Sequence, residues 1–261
     1  MSGLSIIRSS ANPFLRRVRG AIAGREPDLI VLEGARLIAE ARQLGLALEL
    51  LLLAADRVEE LGHGTFAGAD FSPVDPALLD QTSALTSSPG CVALVRRPRE
   101  RTLEELPLGS DGLVLVTAGV ADPGNLGALA RTAEAAGAVA LCVAGTGASP
   151  WGAKAVRGSM GSLLRLPIVR VEDGDSLGQG LRGLGMRQVQ AATRGGARLA
   201  DFDWTGRLAL WVASETGRMP RVAEGFEAVS IPMAGGVESL NVGAAAAALL
   251  FAAAAQRGRV S

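Results

Sequence analysis

The chain has 261 residues, 48% hydrophobic and 20% charged, so it can bury one large core or a small and a medium one and is not a disordered chain. Its 26 lysines and arginines balance 26 aspartates and glutamates, which excludes a global basic field that would hold nucleic acid non-specifically and leaves room only for local patches. Two cysteines, Cys91 and Cys142, are too few for a disulfide framework or a cysteine-rich zinc site, and no metal is expected.

In chain order, the first 25 residues carry Arg8, Arg16, Arg17, Arg19 and Arg25 with no acid among them, and residues 13–20 read as a short basic helix. The start lacks the apolar segment of a signal peptide. A strand is predicted at 29–32, a helix at 35–44 stopped by Gly45, and a strand buried on both faces at 48–53. His63 follows in a glycine-rich stretch with no partner in view. A short helix at 76–81 and a strand at 91–95 complete an α/β module. Arg96, Arg97, Arg99 and Arg101 form a second basic group, although an arginine run is as readily a solvated face as a nucleic-acid contact. Residues 96–111, with Pro98 and Pro107, turn polar and read as a linker. The expected division is therefore a domain at 1–97, a linker at 98–110 and a second domain at 111–261.

The second domain opens with a strand at 113–117, followed by a helix at 126–136 and a strand at 139–143. Further strands are predicted at 166–171, 188–192, 208–213 and 228–231, and an alanine-rich helix at 240–256 ends the chain. Strands alternating with helices predict an α/β fold with a mostly parallel sheet covered on both faces. The most apolar stretch, 242–255, is shorter than the roughly 20 residues a membrane span needs, so a soluble cytoplasmic protein is expected, without a membrane partner.

Three segments of this half carry candidate chemistry. The run Asp122-Pro123-Gly124-Asn125-Leu126-Gly127-Ala128-Leu129-Ala130-Arg131-Thr132 follows a strand and opens a helix, where open α/β sheets place their ligands. Asn125 there reads equally well as a helix cap, whereas Arg131 stands alone among alanines and leucines. In Leu210-Trp211-Val212-Ala213-Ser214-Glu215-Thr216-Gly217 a buried-type strand runs into a carboxylate and a glycine. In Ile231-Pro232-Met233-Ala234-Gly235-Gly236-Val237-Glu238-Ser239-Leu240-Asn241-Val242 a glycine pair forms a loop whose backbone can approach a ligand, and Ser239 and Asn241 precede the last helix, where capping also explains them.

In order and combination these segments resemble the SpoU/TrmH-type RNA 2′-O-ribose methyltransferases of the SPOUT superfamily. The resemblance covers essentially the C-terminal half and includes Lys154-Ala155-Val156-Arg157-Gly158-Ser159-Met160-Gly161-Ser162. Asn12-Pro13 and the run from Val31 to Ile38 look like the ribosomal-protein-like substrate-binding domain that many members carry. The resemblance implies a deep trefoil knot, S-adenosylmethionine as methyl donor, RNA as substrate and a homodimer whose site is completed at the interface. It places the donor on Ala213, Gly217, Ile231, Met233 and Leu240, with Thr193 a further contact. It assigns Arg131 to activation of the 2′-hydroxyl, as base or as an anchor for hydroxyl and phosphate, with Asn125, Glu215, Ser239 and Asn241 positioning it and the ribose. Arg16, Arg17 and Arg19 are the candidate RNA contacts of the first domain. The chain departs from the family pattern at Ala213, Arg218 and Gly243.

Ribosomal RNA is preferred over transfer RNA as substrate because a full N-terminal domain suits a folded RNA element. A non-catalytic RNA-binding protein of the same fold is a rival that the retained polar residues disfavour. A nicotinamide-dependent dehydrogenase is disfavoured too, because the best glycine cluster, Gly145-Thr146-Gly147, ends in Pro150 where a third glycine belongs.

Overall fold

A computed structural model describes residues 5–213, 219–221, 225–235 and 237–259. The described chain forms two compact units, Met1–Pro98 with Trp151–Leu164, and Arg99–Pro150 with Arg165–Ser261.

The first unit begins with helix α1 (Pro13–Ile22), started by Pro13 and capped by Asn12, whose side chain accepts from the Phe14 N–H at 2.8 Å. Strand β1 (Leu29–Glu33), helix α2 (Ala35–Gln43), strands β2 (Leu48–Ala54) and β3 (Ser72–Val74), helix α3 (Pro76–Thr82) and strand β4 (Cys91–Arg96) follow. The sheet order is β1-β4-β2-β3, antiparallel except for the β2–β3 pair. β2 is buried only in its second half, not on both faces throughout. The turn between β2 and β3 holds a π-helical stretch, Val58–Thr65, that the sequence did not announce. Leu15 and Val18 of α1 meet Val31, Leu52, Val74 and Leu94 in the core. Helix α5 (Ala153–Gly158) belongs to this unit: it packs on β1, and Ala153 lies against the same core. The segment from Lys154 to Ser162, assigned from sequence order to the second half, thus folds with the first.

The second unit contains β5 (Leu113–Ala118), α4 (Pro123–Ala135), β6 (Ala140–Ala144), β7 (Ile168–Val171), α7 (Gly174–Gly183), β8 (Arg187–Ala192), β9 (Ala197–Arg198), β10 (Leu208–Ala213), β11 (Glu227–Ser230) and α8 (Val242–Gln256), and a short helix, α6 (Ser162–Arg165), ends at its first residue after the excursion into the first unit. Its strands pair in the order β7-β6-β5-β10-β8-β11-β9, every pairing parallel. β5 and β6 are buried along their whole length, as central strands of a sheet covered on both faces must be. On one face Leu177 and Leu181 of α7 pack over Val114, Val116, Cys142 and Trp211. Leu106 and Leu108 join that core, so much of the stretch expected as a linker is packed into this unit. α4 and α8 pack against each other and meet the sheet, α4 at β5 and β6, α8 at β8 and β10.

Register fixes where the strands stop. Ala213 pairs with Ala118, Ala118 with Ala144, and Ser230 with Ala192, so their carboxyl ends lie along one edge. The opposite edge is held by the end of the chain. Arg257, whose side chain is fully buried, donates to the Asp111 carbonyl and carboxylate, both at 2.8 Å, and to the Gly206 carbonyl at 2.8 Å. Arg259 donates to the Gly137 carbonyl at 2.6 Å and to the Asp111 carboxylate at 3.2 Å. Burial lowers the Arg257 pKa from its ordinary value, and the Asp111 charge opposes that. No helix among the described residues is long and apolar enough to cross a membrane.

Asp111→Asn removes the charge facing a buried guanidinium but keeps the backbone acceptor. Because Asp111 is itself partly exposed, the expected loss is modest, about 1–2 kcal/mol by urea denaturation. Donor affinity should be unchanged, since this clasp sits on the far edge of the sheet.

Candidate active site

The carboxyl edge of the second sheet carries a cavity of about 630 Å³, within the roughly 300–1,000 Å³ of small-molecule sites. Four chain segments build it. The loop after β5 contributes Val120, Ala121 and Asp122, and α4 contributes Asn125. The end of β8 and the turn after it contribute Gln190, Ala191, Ala192, Thr193 and Arg194. β10 ends on the cavity with Val212 and Ala213. The chain between β11 and α8 contributes Ile231, Met233, Ser239, Leu240 and Asn241, and α8 adds Val242, Ala245 and Leu249.

Local chemistry explains how these side chains are set. α4 starts three residues earlier than its apolar pattern suggested, at Pro123, and its cap is Asp122, which accepts from the Asn125 N–H at 2.8 Å. Asn125 is therefore not the cap, and it lines the cavity. α8 starts at Val242, two residues later than expected, and Asn241 caps it by accepting from the Gly243 N–H at 2.8 Å. Ser239 makes no such cap and also faces the cavity. Gly235 has a left-handed φ of 78°, yet a Cβ there would meet nothing within 4 Å, so its absent side chain serves the turn rather than close ligand approach.

Of the predicted site residues, Asn125, Thr193, Ala213, Ile231, Met233, Ser239, Leu240 and Asn241 come together. Glu215 and Gly217 lie outside the described residues. Arg131 does not line the cavity: it stands on the exposed side of α4. Six residues along a helix from Asn125 is about 120° of rotation and ~9 Å of rise, so the two side chains cannot converge within one chain. Asp122, Gln190, Arg194, Ala245 and Leu249 were not predicted. A signal existed for Gln190 alone, a polar residue repeating with Gln188 in an apolar strand.

The candidate RNA contacts differ among themselves. Arg16 is exposed and has no ionic partner among the described residues. Arg17 approaches Glu49 at 3.6 Å and Glu26 at 3.8 Å. Arg19 donates to the Ser10 carbonyl at 2.6 Å, which ties α1 to the preceding turn. In the second basic group Arg96 pairs with Glu49 at 2.8 Å and Arg99 with Glu105 at 2.5 Å. Both cysteines are buried in strands, and burial pushes the thiol pKa to about 11 for Cys91 and about 12 for Cys142, so neither serves as a nucleophile at neutral pH.

Residues 112–251 match the model of the SpoU rRNA methylase family. The chain belongs to that family. A relative named 23S rRNA (guanosine-2′-O-)-methyltransferase RlmB, from Escherichia coli, is 34% identical over 185 residues, 69% of this chain and 76% of that protein. A 23S rRNA (uridine(2479)-2′-O)-methyltransferase of Streptomyces viridochromogenes is 37% identical over 176 residues, 65% of this chain but only 61% of the relative. The crystal structure of the SpoU methyltransferase AviRb from the same organism, in complex with AdoMet, superposes with a TM-score of 0.83 at 29% identity, covering 94% of this chain and 98% of that one. An AdoMet-bound rRNA methyltransferase from Sinorhizobium meliloti gives a TM-score of 0.85 at 25% identity, covering 98% and 99%.

For a SpoU-family chain the cavity is a testable donor site. Ala245→Leu puts a branched side chain into it from a helix face that tolerates leucine. The expected result is at least about tenfold weaker S-adenosylmethionine binding by isothermal titration, at nearly unchanged melting temperature, since steric exclusion acts on the ligand and not on the core.

Proposed function

We propose that the cavity at the carboxyl edge of the second sheet holds S-adenosylmethionine and that the chain methylates a ribose 2′-hydroxyl of RNA, in ribosomal RNA. One observation carries this reading: Asn125, Thr193, Ala213, Met233, Ser239 and Asn241, from four distant segments, converge on a single cavity. Its lining fits the donor in kind, with apolar walls at Val212, Ile231 and Leu249 and polar groups at Gln190, Thr193 and Ser239. The trefoil knot belongs to the same reading, because a knot would draw together the stretches that line this cavity. The first unit is the RNA substrate-binding domain, with Arg16, exposed and without an ionic partner among the described residues, foremost of its three candidate contacts, and a cytoplasmic location follows from the substrate.

The donor supplies a methyl group already activated on a sulfonium. The 2′-oxygen forms the new bond to the methyl carbon as the sulfur–carbon bond breaks, leaving S-adenosylhomocysteine, and the hydroxyl proton is lost. What the chain must add is alignment and removal of that proton. Ser239 and Asn125 present hydrogen-bonding groups at the cavity where the ribose would sit. Arg131 polarises the hydroxyl and holds the adjoining phosphate, which needs its planar guanidinium.

A homodimer is part of this proposal. α8 is apolar on all sides, yet Ala244, Phe251 and Ala255, spaced along one face, are exposed, with Phe251 42% accessible. A second copy covering this face accounts for the stripe and brings an outward Arg131 to the partner's cavity.

Arg131→Ala should leave donor affinity intact and cut single-turnover methyl transfer to ribosomal RNA by roughly 10²-fold or more, with Arg131→Lys recovering only part. Wild-type rates in Arg131→Ala would remove this arginine from the mechanism. Phe251→Glu should yield monomers by sedimentation, because a carboxylate cannot be buried there unpaired. Those monomers should be folded and inactive, and active monomers would refute the shared site.

A further inference from the structure

We propose that Arg194 binds the carboxylate of the methyl donor and so makes the cavity selective for a donor with an intact amino-acid end. The inference rests on the reading that this cavity is the donor site.

Among its described lining residues the cavity holds two charges, Asp122 and Arg194. Asp122 is engaged as the α4 cap. Arg194 is exposed at the rim and has no hydrogen bond or ion pair to any described residue. The contrast with the other end of the same strand is informative. Arg187, which opens β8, donates twice to Glu227 at 3.0 Å, reaches the Asp203 carbonyl at 3.0 Å and lies over the Phe202 ring. That arginine is consumed by the fold, and Arg194 is not.

Its position is fixed by the backbone. Gly195 and Gly196 follow with left-handed φ of 76° and 73°, a pair of turns that ordinary residues rarely adopt. A Cβ on Gly196 would collide with the Ala228 carbonyl, so the turn is packed against β11. The chain then pairs with β11 through β9, Val229 opposite Ala197 and Ser230 opposite Arg198. Arg194 therefore extends from a turn anchored on both sides, next to Thr193 in the same cavity wall.

The donor carries a sulfonium, an ammonium and a carboxylate. Only the carboxylate complements a guanidinium, and a guanidinium can hold it through two parallel hydrogen bonds. A phosphate of the RNA offers similar chemistry. The donor group is favoured because Arg194 lines the same cavity wall as Gln190 and Thr193.

The test is isothermal titration of the full chain with S-adenosylmethionine and with decarboxylated S-adenosylmethionine, which lacks only that group. The wild type should prefer the intact donor by about tenfold or more, and Arg194→Ala should abolish the preference by weakening only the intact donor. Arg194→Lys should restore part of it. An unchanged preference in Arg194→Ala overturns the proposal. If that variant instead raises the KM for RNA at saturating donor, the arginine serves phosphate and the proposal is equally overturned. The Ala245→Leu variant separates failure of the underlying reading: a donor cavity requires both ligands to weaken together. If neither weakens while the chain still binds the donor, the site lies elsewhere and Arg194 falls with it.

Discussion

The placement of β10 between β5 and β8 is the constraint on which the rest of the second unit depends. β5 and β8, the strands on either side of it, lie far apart in sequence, so β10 can join them only after the chain has run through β6, β7, α7 and β8. Parallel pairing in a fixed register then stops the strands at Ala118, Ala213 and Ala192 along one edge. Loops from distant parts of the chain are forced to meet there, at a reversal of strand order of the kind that opens a crevice in α/β sheets. The Arg257 and Arg259 clasp complements this by closing the amino edge. It ties the last turn of α8 to the residues just before β5, β6 and β10, so the helix that walls the cavity cannot drift from the strands that floor it.

Much of this fold was legible because central parallel strands advertise themselves. β5, β6 and β10 are continuous apolar runs of the right length, and their boundaries fell within a residue or two of the expected ones. α7 was not legible. Its sequence, with four glycines in ten residues, has poor helix propensity, and only Leu177 and Leu181 mark a buried face. Tertiary packing of those two leucines and the Asp173 cap, which accepts from the Ser176 N–H at 3.1 Å, override that propensity. The segment 151–164 was misplaced for a different reason. Its membership of the first unit depends on contact with β1, more than a hundred residues away, which no local pattern encodes. Likewise Pro107 suggested a linker, while Leu106 and Leu108 on either side of it are buried in the second core.

The site was legible as a set of segments but not as a set of roles. Asn125 fitted a cap on sequence grounds because it preceded the apolar helix pattern, and only the earlier start at Pro123 hands that duty to Asp122. The exchange matters chemically. A capping asparagine spends its side chain on the backbone, whereas this one can address a ligand. Arg131 shows the converse limit. Motif spacing treats it as a neighbour of Asn125, but helical geometry turns it to another face, and a one-dimensional motif carries no information about which chain completes the site.

Proton removal is where this geometry constrains mechanism most. The described cavity lining contains no histidine and no lysine, and its one carboxylate, Asp122, is committed to the start of α4. Glu215, the other acid assigned to the site, lies outside the described residues. Among the described residues the lining thus offers hydrogen-bond partners in Asn125, Gln190, Thr193 and Ser239 but no strong base. With an activated methyl group the transfer depends foremost on holding the oxygen in line with the bond that breaks, and polar contacts of this kind supply that alignment. In the proposed mechanism the charge that develops as the proton leaves is met by Arg131. In the proposed homodimer that arginine comes from the second copy, which couples assembly to activation and leaves an isolated chain able to bind donor without using it.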